Sequence, residues 1–287
     1  MKFLVTGAAG QVGRELVRLI PGRDLLALDH DGLDITDRDA VKKVVAHYHP
    51  DVLINAAAYT AVDKAESESD AAFAVNRDGP EYLARICEDA GIALIHLSTD
   101  YVFDGTKKGA YLEDDPVCPL DVYARSKAAG ETAVQACCSR HIILRTSWVF
   151  SAHGSNFVKT VLRLGKEREQ LRIVADQYGC PTSAADLAAA IVHLCGRLDG
   201  QWGIYHFCQP EPVSWHGFAE AVVRSAREYS CEMKVRRVEA IGSNDYPAAA
   251  RRPKNSVLDC KKIERVFGVS RRPWQASLAD VMGELCP

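Results

Sequence analysis

Apolar and polar positions alternate along this chain in blocks that read as strand, helix, strand, helix. Lys2 to Thr6 is a short apolar run that stops at Gly7-Ala8-Ala9-Gly10-Gln11-Val12-Gly13. Val12, Leu16, Leu19 and Ile20 then recur at helical spacing. Leu25 to Leu28 predicts a second strand, closed by Asp29, and Ala40 to His49 a helix. Val52-Leu53-Ile54 predicts a third strand, running into Asn55-Ala56-Ala57-Ala58-Tyr59-Thr60. Asp70 to Ala90 predicts one long helix, with Gly91 suited to its C′ position. Ile92 to Leu97 is the next apolar run, and it stops abruptly at Ser98-Thr99-Asp100. That is how a buried parallel strand delivers polar groups to a crevice at its carboxyl end. The alternation implies an α/β chain with a Rossmann-type, doubly wound parallel sheet and right-handed crossovers.

Gly105 to Leu120 is loop-like, and Tyr123 to Cys138 predicts a helix, followed by a strand from His141 to Leu144. The pattern then changes. Helices are expected over Phe157 to Gly165, Ser183 to Cys195, His216 to Glu228 and Asp259 to Phe267, with short strands at Leu171 to Val174 and Gly203 to Cys208. Residues 1–150 are therefore expected to form the Rossmann domain. Residues 151–287 are expected to form mostly a smaller mixed α/β substrate domain, with a segment near 183–208 returning to the sheet.

At 287 residues, 47% hydrophobic and 25% charged, the chain has the composition of a soluble globular protein, and a net charge of −3 argues against a nucleic-acid binder. None of the ten cysteines forms a Cys-x-x-Cys pair, so free thiols in a reducing cytoplasm are expected. The N-terminus reaches Gly7 too soon for a signal peptide, and no run approaches the roughly 20 apolar residues of a membrane span.

Strand, glycine turn and helix supply what a dinucleotide pyrophosphate needs: tight turning, close backbone approach, and free N–H groups at a positive helix end. Asp29 stands about 20 positions further on, where a carboxylate grips ribose hydroxyls. With no Arg or Lys directly after it, the local charge favours NADH over NADPH. Tyr123 and Lys127 are four apart and share a helix face. A hydroxyl at the strand end to hold a carbonyl oxygen, a phenol to give it a proton and an ammonium to lower the phenol pKa together make a carbonyl-reduction site. Trp148, large and flat, suits a sugar ring. The basic segment Arg251-Arg252-Pro253-Lys254 could meet the phosphates of a nucleotide-linked substrate.

The glycine turn, Asn55-Ala56-Ala57-Ala58, Ser98 to Gly105, Tyr123-x-x-x-Lys127 and Arg145 to Phe150 together resemble the extended short-chain dehydrogenase/reductases. Further matches are Val62 to Glu66, Asp176 to Gly179 with Pro181-Thr182, and Arg251-Arg252-Pro253 with Asn255-Ser256. The resemblance implies a catalytic trio of Thr99, Tyr123 and Lys127. It implies NADPH or NADH held by Gly7, Gly10, Gln11, Val12, Gly13, Asp29, Asp34, Ile35, Ala58, Tyr59 and Thr60, with Tyr123 and Lys127. It also implies substrate contacts at Thr99, Asp100, Tyr123 and Trp148. The implied reaction is reduction of the C4 ketone of a dTDP-linked 4-keto-6-deoxy sugar, by a monomer or homodimer. Rival readings are an epimerase or another 4-keto nucleotide-sugar reductase on the same fold, and a non-catalytic NADP-binding regulatory subunit. Some similar dimers share a magnesium ion held by glutamates from three stretches. Glu15 and Glu284 fit two of these, but the third falls near Ala185, which cannot ligate, so no metal requirement is expected.

Overall fold

A computed structural model describes residues 1–286 of the chain. Six parallel strands form the central sheet: β1 (Phe3–Thr6), β2 (Leu25–Leu28), β3 (Val52–Asn55), β4 (Ala93–Thr99), β5 (His141–Thr146) and, after β6 (Gln170–Val174) elsewhere, β7 (Gly203–His206). Their order across the sheet is β7-β5-β4-β3-β1-β2. The chain steps outward from β1 to β2 and then crosses back to β3 on the other side of β1. The crevice between the carboxyl ends of β1 and β3 is thus the topological switch point, where open α/β sheets bind ligands.

Every residue of β1 and β3 is buried, because helices cover both faces of the sheet. On one face α1 (Gln11–Leu19) lies beside α6 (Ala184–Cys195), and Val5, Leu16, Ile54, Ile95, Leu144, Leu187 and Ile191 share one core. On the other, Leu4, Leu53, Leu94 and Ile143 pack against α2 (Arg38–Tyr48), α3 (Gly79–Ala90) and α4 (Val122–Cys137).

A separate apolar cluster lies outside the sheet. It joins α5 (Phe157–Glu167), α7 (Trp215–Glu228) and, after α8 (Lys261–Phe267) beside the sheet, α9 (Trp274–Leu285), the last a helix absent from the sequence reading. Beside it, β6 pairs in parallel with β8 (Arg237–Ile241), a strand the alternation did not reveal because only Val238 and Ile241 are large apolar residues in it.

The predicted helix over Asp70 to Ala90 is interrupted. A short helix, Ser69–Phe73, runs through a π-turn at Ala74–Asp78 into α3. The cause is Asn76, fully buried, whose amide is spent on tertiary partners. The expectation that all cysteines are free is also corrected. Cys231 and Cys286 form a disulfide between the loop after α7 and the end of α9, and the other eight are free. The two are 55 residues apart in sequence, and only the packing of α9 on α7 brings them together. No helix of the described residues is long and apolar enough to cross a membrane.

Candidate active site

The glycine turn follows β1 directly. Gly7 takes φ +71°, and a Cβ there would stand 2.5 Å from the Ala57 nitrogen. A Cβ at Gly13 would stand 2.3 Å from the Gly7 carbonyl oxygen. Both positions therefore exclude side chains, and the turn lies flush against the Ala56-Ala57 backbone with the α1 N-terminus open above it. These features fit a dinucleotide pyrophosphate. Val12 is buried in the core, so only its backbone faces the turn. The Gln11 amide oxygen accepts from the Ser151 hydroxyl and the Asn156 amide, both at 2.9 Å, and so ties the turn to the segment after β5.

The ribose-side residues are spread over two loops. Asp29 ends β2 and accepts from the Gly32 N–H at 3.0 Å. Asp34 accepts from both the N–H and the hydroxyl of Thr36. Ile35 is buried against Gly79. Asp29 and Asp34 are thus held by their own turns while remaining on the rim beyond β2. Across the crevice the Ala58-Tyr59-Thr60 segment is pinned by Asn76. Its amide accepts from the Tyr59 N–H (2.9 Å), donates to the Tyr59 carbonyl (3.0 Å) and reaches the Ser126 hydroxyl (3.0 Å).

Thr99 is the last residue of β4, and Tyr123 and Lys127 lie in the first half of α4, whose N-cap is Asp121. The Thr99 hydroxyl donates to Asp100 at 3.1 Å and accepts from the Tyr101 N–H at 3.2 Å, and its oxygen is close enough to the Tyr123 phenol to lower that group's pKa. Hydroxyl, phenol and lysine are thus on adjoining elements, as expected. Their electrostatics are not. Lys127 was expected to lower the phenol, but its Nζ donates to the Leu97 carbonyl at 2.7 Å and stands 3.5 Å from His96 Nε2, turned into the protein. Burial pushes the Tyr123 phenol up, with Asp100 and Asp121 adding to the rise and Thr99 opposing it. The phenol is therefore held protonated, the state a proton donor requires. Burial lowers Lys127 to about 8, against Glu131, which favours the ammonium. Asp100 is buried, one carboxylate oxygen lacks a partner, and desolvation lifts it to about 7.

Next to Tyr123 opens a cleft of about 1820 Å³ between the sheet and the outer cluster. Tyr101, whose ring meets Tyr123 edge-on at 6.4 Å, lines it, as do Thr60, Trp215 and Arg251 to Lys254 in part. Trp148 does not line it. One face of its indole is stacked on Trp215 at 3.4 Å between centroids, so Trp215 presents the aromatic surface instead. Nothing in the sequence distinguished Trp215 from a core tryptophan. Of the basic segment, Arg252 is already engaged: its guanidinium holds Asp63 at 2.6 and 3.1 Å. Arg251 and Lys254 are exposed on the cleft wall and have no ion pair among the described residues.

Away from the cleft, Arg18 contacts both Glu15 (3.3 Å) and Glu284 (3.6 Å). Among the described residues no group of three or more His, Cys, Asp or Glu side chains is placed to hold a metal ion.

Residues 1–286 match the family model described as the RmlD substrate binding domain. A protein of Aggregatibacter actinomycetemcomitans named dTDP-4-dehydrorhamnose reductase is 45% identical, covering 98% of each chain. A crystal structure of a dTDP-4-dehydrorhamnose reductase from Clostridium acetobutylicum superposes with a TM-score of 0.93 at 37% identity, over 99% of each chain. The same-named protein of Bacillus anthracis, solved in complex with NADP, gives 0.91 at 37% identity, over 99% of this chain and all of that one. With the match running from the glycine turn to the last helix, the chain belongs to the family of the RmlD substrate binding domain.

Proposed function

We propose that this chain reduces the C4 ketone of dTDP-4-dehydro-β-L-rhamnose to dTDP-β-L-rhamnose, with NADPH or NADH as the reductant. The observation that carries the reading is the placement of Thr99, at the end of β4, against the Tyr123 phenol of α4, beside a glycine turn at the switch point. The names of relatives up to 45% identical over nearly the whole chain supply the substrate class. We place the protein in the cytoplasm, in keeping with eight free cysteines among the ten. Residues 1–150, with the segment near 183–208, would serve the cofactor, and 151–287 mostly the sugar nucleotide.

With its pyrophosphate in the glycine turn, a bound NADPH or NADH would supply the hydride for the ketone carbon. Thr99 donates a hydrogen bond to the carbonyl oxygen as it gains charge. Tyr123, held protonated by its surroundings, gives its proton to the alkoxide. Lys127 stands one turn along α4; swung from the Leu97 carbonyl, its amine would hold the nicotinamide ribose and take part in restoring the phenol proton. Arg251 and Lys254, exposed on the cleft wall with no ion pair among the described residues, are two cations that can meet the diphosphate.

The test is cofactor oxidation on the product of a dTDP-glucose 4,6-dehydratase, with and without a 3,5-epimerase, for NADPH and NADH in turn. Oxidation that depends on the epimerase is expected, and it ranks the two cofactors. Oxidation without the epimerase assigns a different 4-ketosugar. No oxidation from protein that binds the cofactor overturns the proposal in favour of a regulatory subunit.

A further inference from the structure

Three polar side chains stand in register across neighbouring strands of the sheet: Thr6 on β1, Asn55 on β3 and His96 on β4. All three are fully buried, in a layer that elsewhere is Leu and Ile. The Thr6 hydroxyl donates to Asn55 Oδ1 at 2.8 Å, and the Ala57 N–H donates to the same oxygen at 3.1 Å. A backbone N–H can only donate, so that atom of Asn55 is the acceptor and its other atom is the NH₂ group. The NH₂ meets His96 Nδ1 at 3.0 Å, so Nδ1 accepts. A neutral imidazole with a bare Nδ1 carries its proton on Nε2. Nε2 is the atom that stands 3.5 Å from Lys127 Nζ.

We propose that His96 is a positioning residue for Lys127, locked by Asn55 in the Nε2–H tautomer so that it offers the lysine a donor and thereby sets whether Lys127 is ammonium or amine. An ammonium has only protons to present to that N–H, whereas an amine accepts it through its lone pair. The Leu97 carbonyl, 2.7 Å from Nζ, accepts a hydrogen bond from the lysine in either state. The ladder also links the cofactor turn to the lysine. Thr6 immediately precedes Gly7, and Ala57 is the residue against which Gly7 packs. This inference rests on the reading of Lys127 as part of the reductase site.

The charged surroundings do not duplicate the effect. Glu131, one turn beyond Lys127 on α4, favours the ammonium but is itself gripped by both arms of Arg145 from β5, at 2.9 and 2.7 Å. His141, at the start of β5, bears on His96 and opposes its protonation, as does Lys127 itself. Arg77 and Asp78, in the π-turn that packs on α4, pair with each other at the surface. Tyr123 precedes Lys127 by one turn and is held neutral. Burial, the largest influence on both members of the pair, disfavours the charged form of each, which agrees with a neutral His96 and a readily deprotonated Lys127.

Two spectra of the intact protein test this without turnover. In ¹⁵N-histidine-labelled protein, long-range proton–nitrogen correlations should show His96 with Nδ1 bare and Nε2 protonated. In protein carrying ¹³C at lysine Cε, the Lys127 resonance, assigned by its loss in Lys127→Met, should titrate below the other lysines. In His96→Leu its midpoint should rise by about one pH unit, the size of one hydrogen bond. An Nδ1–H tautomer in the unsubstituted protein, or a Lys127 midpoint unmoved in His96→Leu, overturns the proposal. The tautomer measurement stands even where the variant does not fold. Failure to oxidise the cofactor on the ketosugar would strike the reductase reading and leave both spectra as they are.

Discussion

Burial lifts the Asp100 carboxyl to about 7, and one of its oxygens has no hydrogen-bond partner. Its folded pKa lies above its unfolded one, so ionising it costs the folded state. That cost is absent at low pH, grows as pH rises from about 4 towards 7, and is full above that. Asp100→Asn keeps an acceptor for Thr99 and removes the charge. It should stabilise the protein by roughly 4 kcal/mol at about pH 8 and by nearly nothing at about pH 4, read from thermal melts at both. Equal effects at the two values would exclude the titration as the cause. At Tyr123 the surroundings hold the phenol protonated, so loss of that one hydroxyl removes the proposed proton donor and little else. Tyr123→Phe should lower kcat by roughly 10²- to 10⁴-fold while NADPH binding, followed by fluorescence, is retained. Near-normal turnover would remove Tyr123 from the mechanism. The strand ending in hydroxyls and the four-residue spacing that nominate Thr99, Tyr123 and Lys127 are legible in the sequence, because both are local patterns. The orientation of Lys127 was not legible, since it depends on His96 and Leu97 of another element.

Among the elements, the unit of β1, glycine turn and α1 carries the cofactor reading. Its glycines are required by packing as well as by dihedral angle, because Gly13 closes onto Gly7 and Ala8. Gly13→Ala would force backbone apart at contacts of 2.3 and 2.7 Å. Such overpacking costs about 1–3 kcal/mol, and it opens the turn proposed to receive the phosphates. The expected outcome is a lower melting temperature and loss of the upward shift that NADPH produces in the parent protein. A variant that NADPH still stabilises to the same extent would place the cofactor elsewhere. The π-turn at Ala74–Asp78 makes the complementary point. Periodicity predicted an unbroken helix there, and Asn76 diverts it by bonding Tyr59 and Ser126 instead. Gly130 shows how close that approach is, since a Cβ on it would fall 2.0 Å from the Asn76 carbonyl oxygen.

On the scale of the molecule, the sheet and the outer cluster are held together by polar ties around the cleft. Arg252 binds Asp63, Gln11 binds Ser151 and Asn156, and Asp186 holds Ser277 and Arg272. The Cys231–Cys286 bond anchors α9 to the loop after α7 within the outer cluster. Cys231→Ser should lower stability by about 2–4 kcal/mol, and the unsubstituted protein should lose a similar amount on reduction. Melts with and without reductant measure it, and identical midpoints would show that the bond adds nothing. The sequence by itself determined the central sheet, the glycine turn, the spacing of Tyr123 and Lys127 on one helix face and the family, because each is written in alternation or in a contiguous motif. The tertiary structure alone decided that Trp215 faces the cleft in place of Trp148, that Arg252 is spent on Asp63, that β8 pairs with β6, and that one cysteine pair is bonded. Those outcomes depend on which distant segments meet, and a linear pattern of side chains holds no distance between them.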